Sequence, residues 1–294
     1  MKKYLFANAI TQILMGSLKT LLLIITLGFF SLGALANPKL ASKQQIGMFK
    51  NSITCVVLEN GIISYNVFIK DAVEKYWKYN DFEFIDQQEF NKRRFDSKYS
   101  FLVLMKGVYE KDPSGVAYNY ISLVLGDKAI DITDMPEICS IPFSYTGDND
   151  TYFGYAIPAI VKFMQKHAKN LETNRFLIAL KGLKYYNGQI VLKNKVLLLN
   201  KNQMAPDANT LEKIKTVYPF YFKLITPAEI QIELDTDPIN TMFSFHVGPT
   251  KETGSGKCFD MIFDVEGNLY YYNYRMVTNE DKDGLNLKDL RYIR

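Results

Sequence analysis

An α+β fold made of two tandem, duplicated units is what the sequence predicts, and three observations predict it. First, residues 114–127, SGVAYNYISLVLGD, match residues 255–268, SGKCFDMIFDVEGN, at an offset of 141. Ser114 and Gly115 face Ser255 and Gly256, Tyr118 faces Phe259, Asn119 faces Asp260, Ile121 faces Ile262, Val124 faces Val265, Gly126 faces Gly267 and Asp127 faces Asn268. Second, two further blocks are collinear at an offset of 140: FEFIDQQEF at 82–90 with FKLITPAEI at 222–230, and VVLEN at 56–60 with VLLLN at 196–200. Third, each half alternates strand-like and helix-like patterns in one order, β-α-β-α-β-β-β-α, which packs helices on a mixed sheet. The first unit covers 37–171, a linker 172–190, and the second unit 191–294.

The elements follow from the residues. A strand near 53–59 precedes a helix near 64–78, where Ile62, Tyr65, Ile69, Val73 and Tyr76 recur at helical spacing. A short strand at 82–85 ends at Asp86, which opens a capping box with Glu89: the Asp side chain accepts the Glu89 amide while Glu89 reaches back. The second unit has Thr226 and Glu229 there, with Pro227 at the first helical position, where its missing N–H costs little. Three strand-like runs come next, YSFLVLMKGVYE, VAYNYISLVLG and KAIDIT, answered in the second half by MFSFHV, CFDMIFDV and LYYYNYRM. Helical stretches at 153–171 and 285–293 close the units. The segment 134–152, with two prolines and the tip GDNDT, reads as a surface loop, and 172–190 as a connection that adds a hairpin or strand.

The order of elements in each copy resembles the small envelope domain at the amino terminus of the Tol–Pal protein TolB and in the curli secretion channel family. The resemblance lies in topology, without a diagnostic motif. Those domains contact other proteins, and the likeness implies a binding role by analogy of fold.

The chain start bears on compartment. Lys2, Lys3 and Lys19 precede the uncharged run LLLIITLGFFSLGALA, which ends on Ala34-Leu35-Ala36. A basic start, an apolar core and small residues at the end read as a secretory signal peptide, 1–36, cut after Ala36, which places the protein in the periplasm or outside the cell. The run of 16 residues is shorter than the stretch of about 20 that spans a bilayer, so no stable transmembrane anchor is expected after cleavage. Met15 offers a second start. Losing this segment lowers the net charge from +4 to +1, and no clustered basic face points to nucleic acid. The Lys92-Arg93-Arg94 run reads as a solvated helix face. The odd count of cysteines, Cys55, Cys139 and Cys258, without a CxxC spacing, leaves two readings: one disulfide with one free thiol, or three buried small apolar residues.

Residues 253–258, TGSGKC, look at first like a phosphate loop. Lys251 stands where the first glycine belongs, Cys258 where the hydroxyl belongs, and the equivalent DPSGVA lacks lysine, so the segment reads as a hairpin turn. His167, on a helix, and His246, on a strand, lack metal-ligand or nucleophile spacing and read as lone structural or exposed histidines. Asp131/Asp134 and Asp148/Asp150 read as polar turns, and Glu89 and Glu229 as caps. No catalytic residue, metal or cofactor is expected, and Trp77 reads as core. One contrast separates the copies. Carrying the register of KAIDIT forward by 141, with Ile130 and Ile132 inward, sets Tyr270, Tyr272 and Tyr274 on an outward face. Such an aromatic row either meets a partner or packs on the first copy or the terminal helix. The expected function is that of an exported envelope protein that binds or scaffolds through a protein or glycan surface. The alternatives are a secreted hydrolase or transferase without a recognisable motif, and a structural subunit of an envelope assembly.

Overall fold

Sheets form where apolar residues alternate or run together between turn residues, and here they form twice in the same pattern. In this computed structural model, residues 39–293 are described apart from 62, 110–111, 113, 146–149, 189–194, 237–239, 250–253 and 279–280. The proposed signal peptide, Ile62 and the side chains of Asp148 and Asp150 therefore lie outside the described residues. The first unit contains α1 (Lys43–Lys50), β1 (Ile53–Val57), α2 (Ile63–Tyr76), β2 (Phe82–Ile85), α3 (Gln87–Arg93), β3 (Tyr99–Val108), β4 (Ala117–Leu125), β5 (Glu137–Tyr145) and α4 (Ile157–Lys181). The second contains β6 (Val196–Asn200), α5 (Leu211–Lys215), β7 (Phe222–Ile225), α6 (Pro227–Thr236), β8 (Thr241–Val247), β9 (Gly256–Asp264), β10 (Leu269–Val277) and α7 (Leu287–Tyr292).

The sheet orders are β2-β1-β3-β4-β5 and β7-β6-β8-β9-β10, the same path through five strands. In both, the first three paired strands run parallel and the last two join antiparallel. The fold is α+β with two similar mixed sheets. Opposite Phe82 stands Thr54, and opposite Phe222 stands Leu197, so β1 and β6 correspond at an offset of 143, not the 140 expected for VVLEN and VLLLN. Strand side chains alternate faces, so an even offset would have turned β6 over.

The helices divide in the same way in each unit. Buried residues of α2 and α4 pack on one face of sheet one with Val56, Leu102 and Ile121, whereas Phe90 of α3 packs on the other with Cys55, Val57 and Phe101. In the second unit, Ile214 of α5 and Leu290 of α7 share one face with Leu197 and Met242, and Ile230 and Leu234 of α6 lie on the other with Leu198 and Phe243. The α2/α4 face of unit one thus meets the α6 face of unit two. The units are stacked head to tail, with one central core between the sheets. Residues 39–294 form one compact body.

Helix α4 fills that core. Its first turns, through Leu171, are buried on most sides, with Ile160, Phe163, Met164 and Ala168 all at most 1% exposed, whereas beyond Leu171 the helix emerges, with Phe176 77% and Leu180 71% exposed. Its Phe163 ring meets Phe263 of β9 at 5.8 Å and Tyr186 at 5.0 Å, both steeply inclined. Gln165 reaches the C-terminal end of α2, accepting from Lys78 N at 2.7 Å and donating to Tyr76 O at 3.0 Å. Lys162 and Lys166 donate to Val265 O and Asn268 Oδ1 in the β9–β10 turn, at 2.7 and 2.6 Å. The stretch expected as a linker, 172–190, is mostly a continuation of α4 to Lys181, kinked at Asn174, followed by a 3-10 turn over Gly182–Tyr186.

Two strand assignments are corrected. KAIDIT is not a strand: it is a folded-back segment ending in a 3-10 turn at Ile132–Asp134. Asp127 and Asp131 accept from the amides of Ala129 and Thr133, and Arg94 donates to Ala129 O and Ile130 O. Met135 is buried in the outer cluster of sheet one, with Ala129 and Ile132 packed on it, while Ile130 is 90% exposed rather than inward. The last strand of sheet one is β5, inside the stretch expected as a loop. Lys92-Arg93-Arg94 is correspondingly more than a solvated face, because Arg93 also binds Glu83 and Glu89. Asp86 caps α3 as expected, but Glu89 turns to Arg93; Thr226 and Glu229 make the reciprocal box.

Gly267 in the β9–β10 turn has φ +71°, and a Cβ there would lie 2.5 Å from Lys162 Cβ and 2.7 Å from Phe163 N. Gly254 has φ +59° in open space. Gly267→Ala is expected to destabilise by about 3–5 kcal/mol, combining backbone strain with overpacking. Gly254→Ala should cost about 1–2 kcal/mol. Urea denaturation of both variants compares the two directly; equal losses would contradict the clamped position of α4.

Candidate functional site

Charged residues seldom enter a core unpaired, and the second sheet carries a cluster of them. His246 on β8 stands opposite Asp260 on β9. Its Nδ1 bonds Asp260 Oδ1 at 2.7 Å and its Nε2 bonds Asp283 Oδ1 at 2.9 Å. Gly248 makes this possible, because a Cβ there would strike the Asp283 carboxylate. Arg275 donates to Asp260 Oδ2 at 2.6 Å, to Asp281 at 3.0 Å and to the carbonyls of Lys282 and Gly284. Asp289 accepts from Tyr271 OH and Asn273 at 2.6 and 3.0 Å. Burial opposes a charge on His246, but the two carboxylates outweigh it and lift its pKa to about 10. Burial likewise opposes ionisation of Asp260, and His246 with Arg275 overcomes it and lowers its pKa. An imidazolium with both nitrogens donating has no lone pair for a metal or a proton. The cluster fastens the segment after β10 to the sheet.

The other candidates are equally occupied. His167 is buried in α4, not exposed; Tyr186 OH lies 2.8 Å from its Nδ1, and burial drops its pKa to about 4. Cys55, Cys139 and Cys258 are all free and buried, which decides between the two readings of the cysteines. Burial raises the Cys55 thiol to about 12 and pushes the other two up as well, so none is a ready thiolate nucleophile. Asp131 caps a turn, and among the described residues no three His, Cys, Asp or Glu side chains are grouped to hold a metal ion. Of TGSGKC, Thr253 lies outside the described residues, Gly254 takes positive φ just before β9 and Gly256 takes it at the first residue of that strand.

The three tyrosines do not form one row. A bulge between Leu269 and Tyr271 breaks the alternation. Tyr270 turns toward the outer cluster of sheet two, where its hydroxyl donates to Asp264 at 2.7 Å beside Lys195. Tyr272 packs at the rim of the central core, and Tyr274 is 47% exposed. Two residues on, Met276 continues that side at 39% exposure. Around this stripe the two units meet. Lys257 Nζ sits 3.4 Å above the Tyr109 ring and 5.2 Å from that of Tyr274, and Lys184 Nζ lies 4.6 Å from Tyr274. Tyr109 and Tyr120 share a hydroxyl bond of 2.6 Å. Tyr118 and Phe259, which correspond in the two copies, pack at 5.4 Å, and Tyr118 OH donates to Lys257 O at 2.6 Å.

Sequence reasoning missed Lys257, Lys184 and Tyr109 as members of this patch. The available signal was Lys257 itself, the position that distinguishes TGSGKC from DPSGVA. The comparisons with protein-family models, curated proteins and solved structures find no match for this chain. No helix among the described residues is long and apolar enough to cross a membrane.

Stability should peak near pH 6.5. His246 binds its proton more tightly folded than unfolded, so its contribution is full below about 6.5 and is lost as pH rises toward 10. His167 behaves oppositely, and its contribution fades as pH falls from about 6.5 toward 4. His246→Gln should cost about 3–5 kcal/mol at pH 6, by leaving buried Asp260 short of a partner, and should flatten the alkaline limb. Chemical denaturation from pH 5 to 10 reads both effects; an unchanged alkaline limb would contradict the imidazolium.

Proposed function

We propose that this chain is an exported protein of the bacterial envelope that acts by binding, presenting the Tyr272–Tyr274–Met276 side of β10 to a partner protein or glycan. The observation that carries the reading is Tyr274. It is half exposed at the rim of a shared core, with two lysine ammonium groups against its ring and that of Tyr109. Aromatic rings that are held rigidly supply contact area at small entropic cost, and tyrosine and methionine are enriched at binding surfaces. The groups that would otherwise suggest catalysis are engaged: His246 by two carboxylates, His167 by Tyr186. The likeness in topology to small envelope domains that contact other proteins and the signal-peptide pattern of 1–36 support the same reading.

Photo-crosslinking in a bacterial host tests it. The chain expressed from Met1 is expected in the periplasmic or secreted fraction with the mass of residues 37–294. A crosslinker beside Tyr274 should capture envelope components, and Tyr274→Ser with Lys257→Ser should abolish capture while leaving thermal unfolding nearly unchanged. Retention in the cytoplasm, or capture that survives the double substitution, would contradict the proposal.

A further inference from the structure

An edge strand offers unpaired amides and carbonyls, and this protein satisfies unpaired backbone groups with side-chain amides, beyond β1, on the interior strand β8 and on the edge strand β10. Asn66 donates to Glu59 O and accepts from Glu59 N, at 2.8 and 2.9 Å. Gln203 does the same for His246, at 2.8 and 3.2 Å. Asn187 does it on β10, donating to Tyr272 O at 2.9 Å and accepting from Tyr272 N at 2.8 Å. Both backbone groups of Tyr272 therefore point away from β9. Pairing of β10 with β9 is continuous from Tyr271 to Val277, so Tyr274 and Met276 point their N–H and C=O groups the same way. At the far end Thr278 N is taken by Asp281 O at 2.9 Å. Between these two closures, no hydrogen bond among the described residues occupies the outward groups of Tyr274 and Met276.

The corresponding edge of sheet one shows what such a site accepts. There, the chain's own extended segment lies parallel to the start of β5, with Ala41 N donating to Glu137 O at 2.8 Å and Glu137 N donating to Lys39 O at 2.9 Å. Beside the open edge stand Tyr274 and Met276 of β10 and Lys184 of the 3-10 turn, and one strand in, on β9 opposite Met276, lies Lys257, its Nζ 5.2 Å from the Tyr274 ring. Both lysines rest on aromatic rings. Burial also lowers the pKa of Lys257, so an incoming carboxylate meets a partly desolvated cation.

We infer that the open edge of β10 at Tyr274–Met276 takes up an extended, acidic peptide segment of a partner protein by strand addition. Main-chain pairing to Tyr274 and Met276 supplies the attachment, and carboxylates on alternate residues meet Lys184 and Lys257. This rests on the binding surface proposed above and narrows it to a protein partner and a backbone-directed mode.

The probe is a blocked heptapeptide alternating valine and glutamate, titrated into the full chain while amide hydrogen exchange is followed by NMR. Exchange at Tyr274 and Met276 is expected to slow at least about tenfold on saturation, the population shift that marks a well-formed bond. The same peptide methylated on the pairing amides, and a valine–lysine version, should each bind at least about tenfold more weakly. Met276→Pro removes one outward N–H at an edge position where proline is tolerated, and should weaken binding without lowering the melting temperature. Full binding by the methylated peptide would overturn strand addition while leaving the side-chain surface standing. So would oligogalacturonate binding in place of the peptide, or protection of the same amides by self-association at rising protein concentration. An absence of peptide binding overturns the inference; the surface reading then depends on the crosslinking result alone.

Discussion

The fold depends on one steric fact: a single helix, α4, has to be apolar on both sides because a sheet lies on each. Phe163 shows the constraint most clearly, since its ring packs on Phe263 of the second sheet while Ile160, Met164 and Ala168 on the same helix join the central core. Three of the polar residues that α4 carries bind the elements it touches. Gln165 satisfies the terminus of α2, and Lys162 and Lys166 hold the β9–β10 turn, where Gly267 leaves room for the helix backbone. A gap between sheets that one helix must fill leaves little tolerance for volume changes at these positions.

Head-to-tail stacking explains why two copies of one topology are covered differently. Stacking of this kind leaves one face free at each end, and an uncovered face would invite further copies. The first sheet closes its outer face with α3 and the folded-back segment around Ala129–Met135, pinned by Arg94. At the equivalent position the second sheet has only a tight turn at Gly267, because its corresponding face is already covered by α4 and α6. Two units of one topology in unequal surroundings thus differ in their connections while sharing their strand order. The same inequality produces the contrast at one site: Asn119 bonds Ser144 in the first copy, where Asp260 binds His246 and Arg275 in the second.

Much of this was legible because local chemistry and global packing agree. The strand 82–85, the caps at Asp86 and Thr226, and the sequence of elements in each half were readable from periodicity and turn residues. KAIDIT misled because its alternation of apolar and polar residues matches a strand, whereas Asp127 just before it and Asp131 within it accept from amides two residues ahead and bend it. The true strand, EICSIPFSY, was hidden by Pro142, which is tolerated because β5 is an edge. The tyrosine row failed for two reasons: its register was carried from KAIDIT, which is not a strand, and a bulge at Tyr270 breaks the alternation of β10. The patch around Tyr109, Lys184 and Lys257 joins three distant stretches and exists only once the units are stacked.

The shared core is tested most directly by asking whether the two sheets unfold together. Trp77, the only tryptophan, lies in the first unit, where its indole N–H bonds Asn80 at 3.0 Å, and its fluorescence reports that unit. Amide exchange of Leu198 and Phe243 in a urea series reports the second. One core predicts coincident midpoints and the same opening free energy for both probes. Exchange of Leu198 and Phe243 at urea concentrations where Trp77 stays native would contradict it.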